Sequence, residues 1–303
     1  MTAEPFTLPS FAKINLLLRV LGKRDDGFHE LCTVFQTVSL KDFLTFSAHR
    51  KLILTCNNPK IPTDDKNLII KAAKKLREKY KIRRGAHIYL EKNIPAPGGL
   101  GGGSSNAAVA LIGLARLWKI KFNLAELCEI GKTLGADVPF FFRGGTAIGV
   151  GRGDELFPVK DLEPKSLLIV TPNIAVSTAA AFAQLNLSNL TNKPPKSILQ
   201  ICRGEANTVD LRQIEPVNDF EDTVFKIEPE IEFVKKRLLD LGAEKALMSG
   251  SGASVFAIFA DEDGRQKAFE KLKNEQKSWR AFTAQTVARG AYLASLNIEN
   301  SLQ

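Results

Sequence analysis

Apolar and polar residues alternate with a period of two across "AKINLLLRV", residues 12–20. Ala12, Ile14, Leu16, Leu18 and Val20 fall on one face of the predicted strand, and Lys13, Asn15, Leu17 and Arg19 on the other. The turn "GKRDDG" leads to a second strand region, "FHELCTVFQTVSL", and then to a third, "KLILTC". Residues 67–80 carry a helical period, and "HIYLEKNIP" reads as a strand that ends in a glycine-rich loop. The loop feeds "SNAAVALIGLARLW", apolar around most of its circumference and therefore a buried helix. In "NLAELCEIGKTL", Asn123 is placed to cap a helix, with Glu126 three residues later. After "GGTAIGVGRGDELFPV" the charged stretch "KDLEPK" marks a domain boundary near residue 160. Beyond it come a strand, "SLLIV", an irregular segment with Pro and Asn, and the helix "PEIEFVKKRLLDLG". "KALMSGSGASVFAIFA" is a second glycine–serine turn entering a strand, followed by a helix around 264–275 and a last strand, "AFTAQTV". The order is mixed, which predicts an α+β fold.

Composition narrows the picture. At 303 residues the chain is long enough for two domains, and 44% hydrophobic with 25% charged residues is a globular profile. No apolar run approaches a membrane span, and "MTAEPFTLPSFAKINLLL" lacks the layout of a signal peptide. Cys32, Cys56, Cys128 and Cys202 form no CxxC pair, so neither a zinc site nor a disulfide framework is indicated and a cytoplasmic location is expected. The net charge of +9 is spread along helical stretches such as "KAAKKLREKYKIRR", with no arginine-rich tail and no aromatic-interleaved basic motif. This argues against nucleic acid as a partner and leaves anionic metabolites.

"APGGLGGGSSNAAVAL", residues 96–111, gathers five glycines and two serines at the start of the buried helix. Such a turn offers free N–H groups and a favourable dipole to an anion, and either Ser104 or Ser105 could cap the helix. A dinucleotide fingerprint fails because Ser104 stands at its last glycine position. A Walker loop fails too: "GKT" at 131–133 has Glu126 at the leading position. The loop has no lysine, so phosphate charge must be neutralised from elsewhere.

"PAPGGLGGGSSNAA" resembles the ATP-binding signature of the GHMP kinases, and "LMSGSGASVFAIF" resembles their third glycine motif. "FAKINLLLRVLGKRDDGFHEL" and "LGADVPFFFRGG" are narrower and resemble the branch that acts on diphosphocytidyl-methylerythritol in the non-mevalonate isoprenoid pathway. Four motifs in order span most of the chain. The resemblance implies a two-domain GHMP kinase fold with the active site in the interdomain cleft. Residues 1–160 would be the ATP-binding domain and 161–303 the C-terminal domain, with the last strand able to return to the first. It implies ATP and Mg²⁺ as cofactors and a small-molecule substrate with a cytidine diphosphate moiety. No acidic cluster marks a protein-built metal cage, so magnesium is expected on phosphates and water, with a loop serine available.

The resemblance also assigns residues. Asp137 matches the catalytic aspartate, although its position before Val138 equally suits a helix cap. Lys13 matches its electrostatic partner, against the plain reading of an exposed strand lysine, and Asn15 shares its face and is expected to bind substrate. Phe28 and His29 suit a pyrimidine, one ring for stacking and one for hydrogen bonding; without the resemblance they read as a core phenylalanine and a surface histidine. Phe28 stands where the family usually has tyrosine. Phe182 matches a second aromatic over the base. Pro95, Ala96, Pro97, Gly98, Gly99, Leu100, Gly101, Gly102, Gly103, Ser104 and Ser105 form the ATP loop, and Asn67 and Lys92 are placed near the adenine. Pro97 stands where relatives often have glycine, which predicts a stiffer entry to the loop. Gly250, Ser251 and Gly252 shape the cleft floor or form only a tight turn. The alternatives are another GHMP kinase, acting on homoserine, mevalonate or a sugar, and a silent ligand sensor.

Overall fold

The computed structural model describes residues 4–185 and 215–298. Two long antiparallel strands, β1 (Phe6–Lys23) and β2 (His29–His49), open the chain. In the turn between them the Asp26 carboxylate accepts from the Phe28 N–H and the Arg24 guanidinium. β3 (Leu52–Cys56), α1 (Leu68–Tyr80), β4 (Gly85–Glu91), α2 (Gly102–Leu117) and α3 (Leu124–Lys132) follow. A 3-10 turn, Val138–Phe142, leads into β5 (Thr146–Gly151) and β6 (Glu155–Pro158). Next come β7 (Ser166–Thr171), α4 (Thr178–Ala183), β8 (Val217–Asn218), α5 (Glu221–Ile227) and α6 (Pro229–Asp240). β9 (Lys245–Met248), β10 (Val255–Phe259), α7 (Glu262–Glu275), β11 (Arg280–Gln285) and α8 (Arg289–Ser295) complete the order. The irregular segment expected after "SLLIV" lies largely outside the described residues.

Among the described residues the strands form two sheets. The first runs β3-β4-β2-β1-β8, with β5 on β2 and β6 on β5; the second runs β11-β7-β10-β9. α1, α2 and α3 bury their apolar residues on the first sheet, and α2 is covered on nearly every side, as its composition predicts. α5, α6 and α7 pack around the second sheet. A smaller cluster joins the two, with Ala12 and Ile14 of β1 against Leu167, Ile169, Leu247 and Phe256. No described helix is long and apolar enough to cross a membrane.

Two expectations are corrected. The alternation along β1 breaks at Leu16. Asn15 pairs with Phe35 and Leu17 with Val34, leaving Leu16 as an extra residue, so the side chains from Leu17 to Val20 change face. Leu18 and Val20 therefore leave the face of Ala12 and Ile14 and join the second core, and Leu18 lines the same cavity as Lys13 and Asn15. Secondly, α2 begins at Gly102, three residues before the expected SNAA start. Gly101 occupies the cap position at φ 69°, a left-handed conformation that disfavours a side chain, and no side chain caps the helix. Ser104 and Ser105 sit inside its first turn. The last strand pairs with β7 in the second sheet, and at its end Thr286 bridges Val38 of β2 while Val287 N donates to the Thr37 carbonyl at 2.9 Å. α8 follows it to the first sheet, where its buried Tyr292 enters the core and donates its hydroxyl to the Phe141 carbonyl at 2.5 Å. Gly144 makes room for that ring, since a Cβ there would overlap it.

Candidate active site

The glycine loop is held from both sheets. Lys13 on β1 donates its backbone N–H to the Leu100 carbonyl at 3.0 Å, and Ser254, just before β10, donates its own to Gly98 at 3.2 Å. The Gly99 carbonyl accepts from Lys13 Nζ at 2.9 Å and from Ser249 Oγ at 3.0 Å. Gly99 has φ 70°, and a Cβ would overlap the Ser249 carbonyl oxygen, so no other residue fits that approach. The first bond of α2 runs from Ser105 N to Gly101 O, which leaves the N–H groups of Gly102, Gly103 and Ser104 at the mouth of the helix. Leu100 is buried in the joining cluster. Ser105 is buried as well, and its hydroxyl accepts from Ser10 at 2.7 Å, away from the loop's open side.

Lys13 is the centre of the site. Buried at 3% exposure, its ammonium donates to Asn15 Oδ1 at 2.7 Å and lies 3.4 Å from Asp137 Oδ2. Asn15 in turn donates Nδ2 to Thr33 Oγ1 at 2.8 Å, which fixes its amide. Asp137 precedes the 3-10 turn but makes no cap hydrogen bond, so the capping alternative finds no support in its geometry. Its side chain is a third exposed, one oxygen toward Lys13. The buried ammonium fixes one carboxylate oxygen, and the partial exposure leaves the side chain reachable by a ligand.

Lys13, Asn15, Gly99, Gly101 and Asp137 share one cavity of about 640 Å³ with Phe28, His29 and Phe182. The aromatic group differs from the expected pair of facing phenylalanines. His29 stacks on Phe182, with ring centroids 4.8 Å apart and planes at 25°. Phe220 meets Phe182 edge-on at 4.7 Å. Phe28, at 52% exposure, carries the Arg152 guanidinium 4.2 Å from its ring centroid. Partial burial and nearby Lys23 hold His29 below its ordinary pKa of 6.5, so the ring is neutral at physiological pH.

Asn67 and Lys92 do not line this cavity. Asn67 caps α1, accepting from Ile69 N at 2.9 Å and donating to the Pro62 carbonyl at 2.6 Å; the next residue, Leu68, faces Gly103. Lys92 lies beneath Gly102, where its ammonium bonds Asp42 at 2.7 Å and the Ile94 carbonyl at 2.7 Å. Burial pulls its pKa down and Asp42 pushes it back up. Asp42 is fully buried and also accepts from the N–H groups of Asn93 and Ile94 and from the Asn106 amide. The pair braces the loop from below.

Sequence reasoning missed Arg152, Asp42 and the segment Asn218–Glu221. Arg152 sits in "GVGRGDE", a cation flanked by glycines at a strand end, and that was a usable signal. Asp42 looks like an ordinary polar strand position, and nothing local announces its four donors.

Comparison with known proteins identifies the family. Residues 67–145 match the GHMP kinases N terminal domain, and residues 204–278 match the GHMP kinases C terminal domain. The chain is 38% identical over 285 residues to 4-diphosphocytidyl-2-C-methyl-D-erythritol kinase of Acetivibrio thermocellus, covering 94% of this chain and all of that protein. It is 40% identical to the kinase of the same name from Syntrophotalea carbinolica, covering 94% and 99%. A crystal structure of 4-(cytidine 5'-diphospho)-2C-methyl-D-erythritol kinase superposes with TM-score 0.76 at 33% identity, over 93% of this chain and 99% of that one. Mevalonate kinase from L. major, at 17% identity and TM-score 0.70 over 95% and 97%, shares the fold. With both halves matched and relatives alike along nearly its whole length, the chain belongs to the GHMP kinases and is an ATP-dependent small-molecule kinase.

Proposed function

We propose that the chain transfers the γ-phosphoryl group of ATP to the 2-hydroxyl of 4-diphosphocytidyl-2-C-methyl-D-erythritol, a step toward isoprenoid precursors by the non-mevalonate route. The observation that carries this reading is one cavity holding both the Lys13–Asp137 pair and an aromatic group suited to a base. The names of the relatives support the same substrate.

In this reading the phosphates of ATP lie on the loop Pro95–Ser105, against the N–H groups of Gly102, Gly103 and Ser104. Asp137 accepts the proton of the acceptor hydroxyl. The hydroxyl oxygen then bonds the γ-phosphorus, and the bond from that phosphorus to the bridging oxygen of ADP breaks. Lys13 stabilises the negative charge that develops on the acceptor oxygen. Among the described residues no group of three His, Cys, Asp or Glu is arranged to hold a metal. The magnesium that such transfers draw on is carried chiefly by phosphates and water.

Binding of the base exchanges the His29–Phe182 stack for a base–Phe182 stack, with Phe28 on the other side, and frees the imidazole to meet the pyrimidine edge. Arg152 is the cation lining this cavity that has no acidic partner within ion-pair distance among the described residues, and its charge complements the diphosphate.

The test compares the cytidine substrate with its uridine analogue. Wild type prefers cytidine, because uracil replaces an amino donor with a carbonyl acceptor and leaves a mismatched polar pair. Phe28→Tyr is nearly neutral. Phe28→Ala raises KM for both substrates alike, by the roughly 0.5–1.5 kcal/mol of a lost aromatic stack. His29→Ala narrows the gap between the two. Equal use of both substrates by wild type would show that this segment does not read the base.

A further inference from the structure

One short segment, β8 and the three residues after it, reaches three parts of the site: β1, the Met248–Gly250 turn and the Phe182 ring. It adds in parallel to β1 at Leu17 and Leu18. Asn218 is 3% exposed and all its hydrogen-bonding capacity but one lone pair is used. Its Nδ2 donates to the Met248 carbonyl at 2.8 Å and to the Gly250 carbonyl at 2.7 Å, while its Oδ1 accepts from Phe220 N at 3.0 Å. Asp219 accepts from Val20 N and from Arg19, each at 2.9 Å. The Phe220 ring backs Phe182. Glu221 accepts from Met248 N at 2.8 Å.

The turn that Asn218 clasps is the one that meets the phosphate loop. Ser249 within it donates to the Gly99 carbonyl, the same oxygen that holds Lys13 Nζ. Gly250, at φ 59°, is so close to the loop that a Cβ would lie 3.1 Å from the Gly99 carbonyl and 3.4 Å from Lys13 Nζ. Two buried carbonyls, both ends of Met248–Gly250, are thus fixed by one amide. A displaced turn moves Gly99 and the ammonium with it.

We infer that Asn218 is a positioning residue for phosphoryl transfer, acting through the Met248–Gly250 turn on Lys13, while its neighbour Phe220 positions the aromatic wall and governs binding of the acceptor. The inference rests on Lys13 and Asp137 being the transfer site. It separates two effects within three residues of sequence. Asn218 governs kcat and Phe220 governs KM.

The test is steady-state kinetics of the full chain on whichever acceptor wild type phosphorylates, with thermal melts of every variant. Asn218→Asp keeps the shape and the acceptor for Phe220 N but turns two donors into acceptors facing two carbonyls. It lowers kcat by about 10- to 100-fold, the scale of a misplaced reacting group, with acceptor KM within about twofold. Activity partly returns as pH falls, because a protonated carboxyl donates again to one carbonyl. Asn218→Ser, uncharged and still a donor, shows the same split at smaller size and serves if the aspartate variant does not fold. Phe220→Leu raises acceptor KM about fivefold, the scale of a lost aromatic contact, and leaves kcat within about twofold. Loss of kcat and rise of KM together in both positions, in step with melting temperature, would overturn the inference and leave the segment a structural strap. So would an Asn218→Asp enzyme with wild-type kcat. A wild type that uses a different acceptor contradicts the proposed substrate and leaves this comparison intact.

Discussion

Asp137→Asn lowers kcat by roughly 10²–10⁴-fold, the range for a positioned general base. The amide keeps the shape of the carboxylate and its place above the 3-10 turn, where no cap bond is lost. Binding of ATP therefore changes little, and the loss falls on the chemical step. Lys13→Met also lowers kcat, since it removes the ammonium 3.4 Å from Asp137 and 2.9 Å from the Gly99 carbonyl. The two groups act on the same developing charge, so the double variant loses less than the product of the single losses. Near-normal turnover by Asp137→Asn would remove the carboxylate from the mechanism, and strict multiplicativity would show that the pair does not act as a unit.

Asp42→Ala destabilises the fold by about 3–5 kcal/mol, the cost of leaving a buried ion without its partner. Four donors converge on this carboxylate, and the ammonium among them lies directly beneath the start of α2. Adding Lys92→Met recovers part of the loss, because the uncompensated charge is then gone. The pH dependence has a definite sign. Burial holds folded Lys92 below its ordinary 10.5, and removing Asp42 takes away the group that opposes this. The unfolded chain then binds the extra proton over the window between the depressed folded pKa and 10.5. Stability of Asp42→Ala rises with pH across that window, whereas wild type changes less. Denaturant midpoints measured from neutral to alkaline pH check this, and a flat profile for Asp42→Ala would contradict it.

Much of the architecture is legible in local pattern. The apolar circumference of α2 reports its burial, and the cap at Asn123 is read from residue type and spacing. What fails is whatever depends on a partner far away in the chain. The bulge at Leu16 has no signature within "KINLLL", because it arises from the pairing of Asn15 and Leu17 with Phe35 and Val34 on β2. Its effect is large, since it aims Leu18 into the cavity beside Lys13. α8 is only seven residues long, yet Tyr292, Leu293 and Leu296 keep helical spacing and report a buried face that a closer reading finds. Asp42 and Asn218 are the hardest cases. Each is a small polar residue in a strand, and only the assembled fold brings their carbonyls and N–H groups together. Lys13, Asn15, Phe28, His29 and Asp137, named from short motifs, line one cavity together with Phe182. The resemblance places Asn67 and Lys92 near the adenine, whereas their hydrogen bonds run to the protein itself.

The central claim is that a GHMP kinase site has been fitted with an aromatic pocket for a cytidine-bearing acceptor. It is tested most directly by release of ADP from ATP and magnesium with three acceptors supplied in turn: 4-diphosphocytidyl-2-C-methyl-D-erythritol, homoserine and mevalonate. Turnover with the cytidine-bearing acceptor alone, abolished by chelation of magnesium, is the predicted result. Turnover of homoserine or mevalonate with none of the cytidine compound would contradict it.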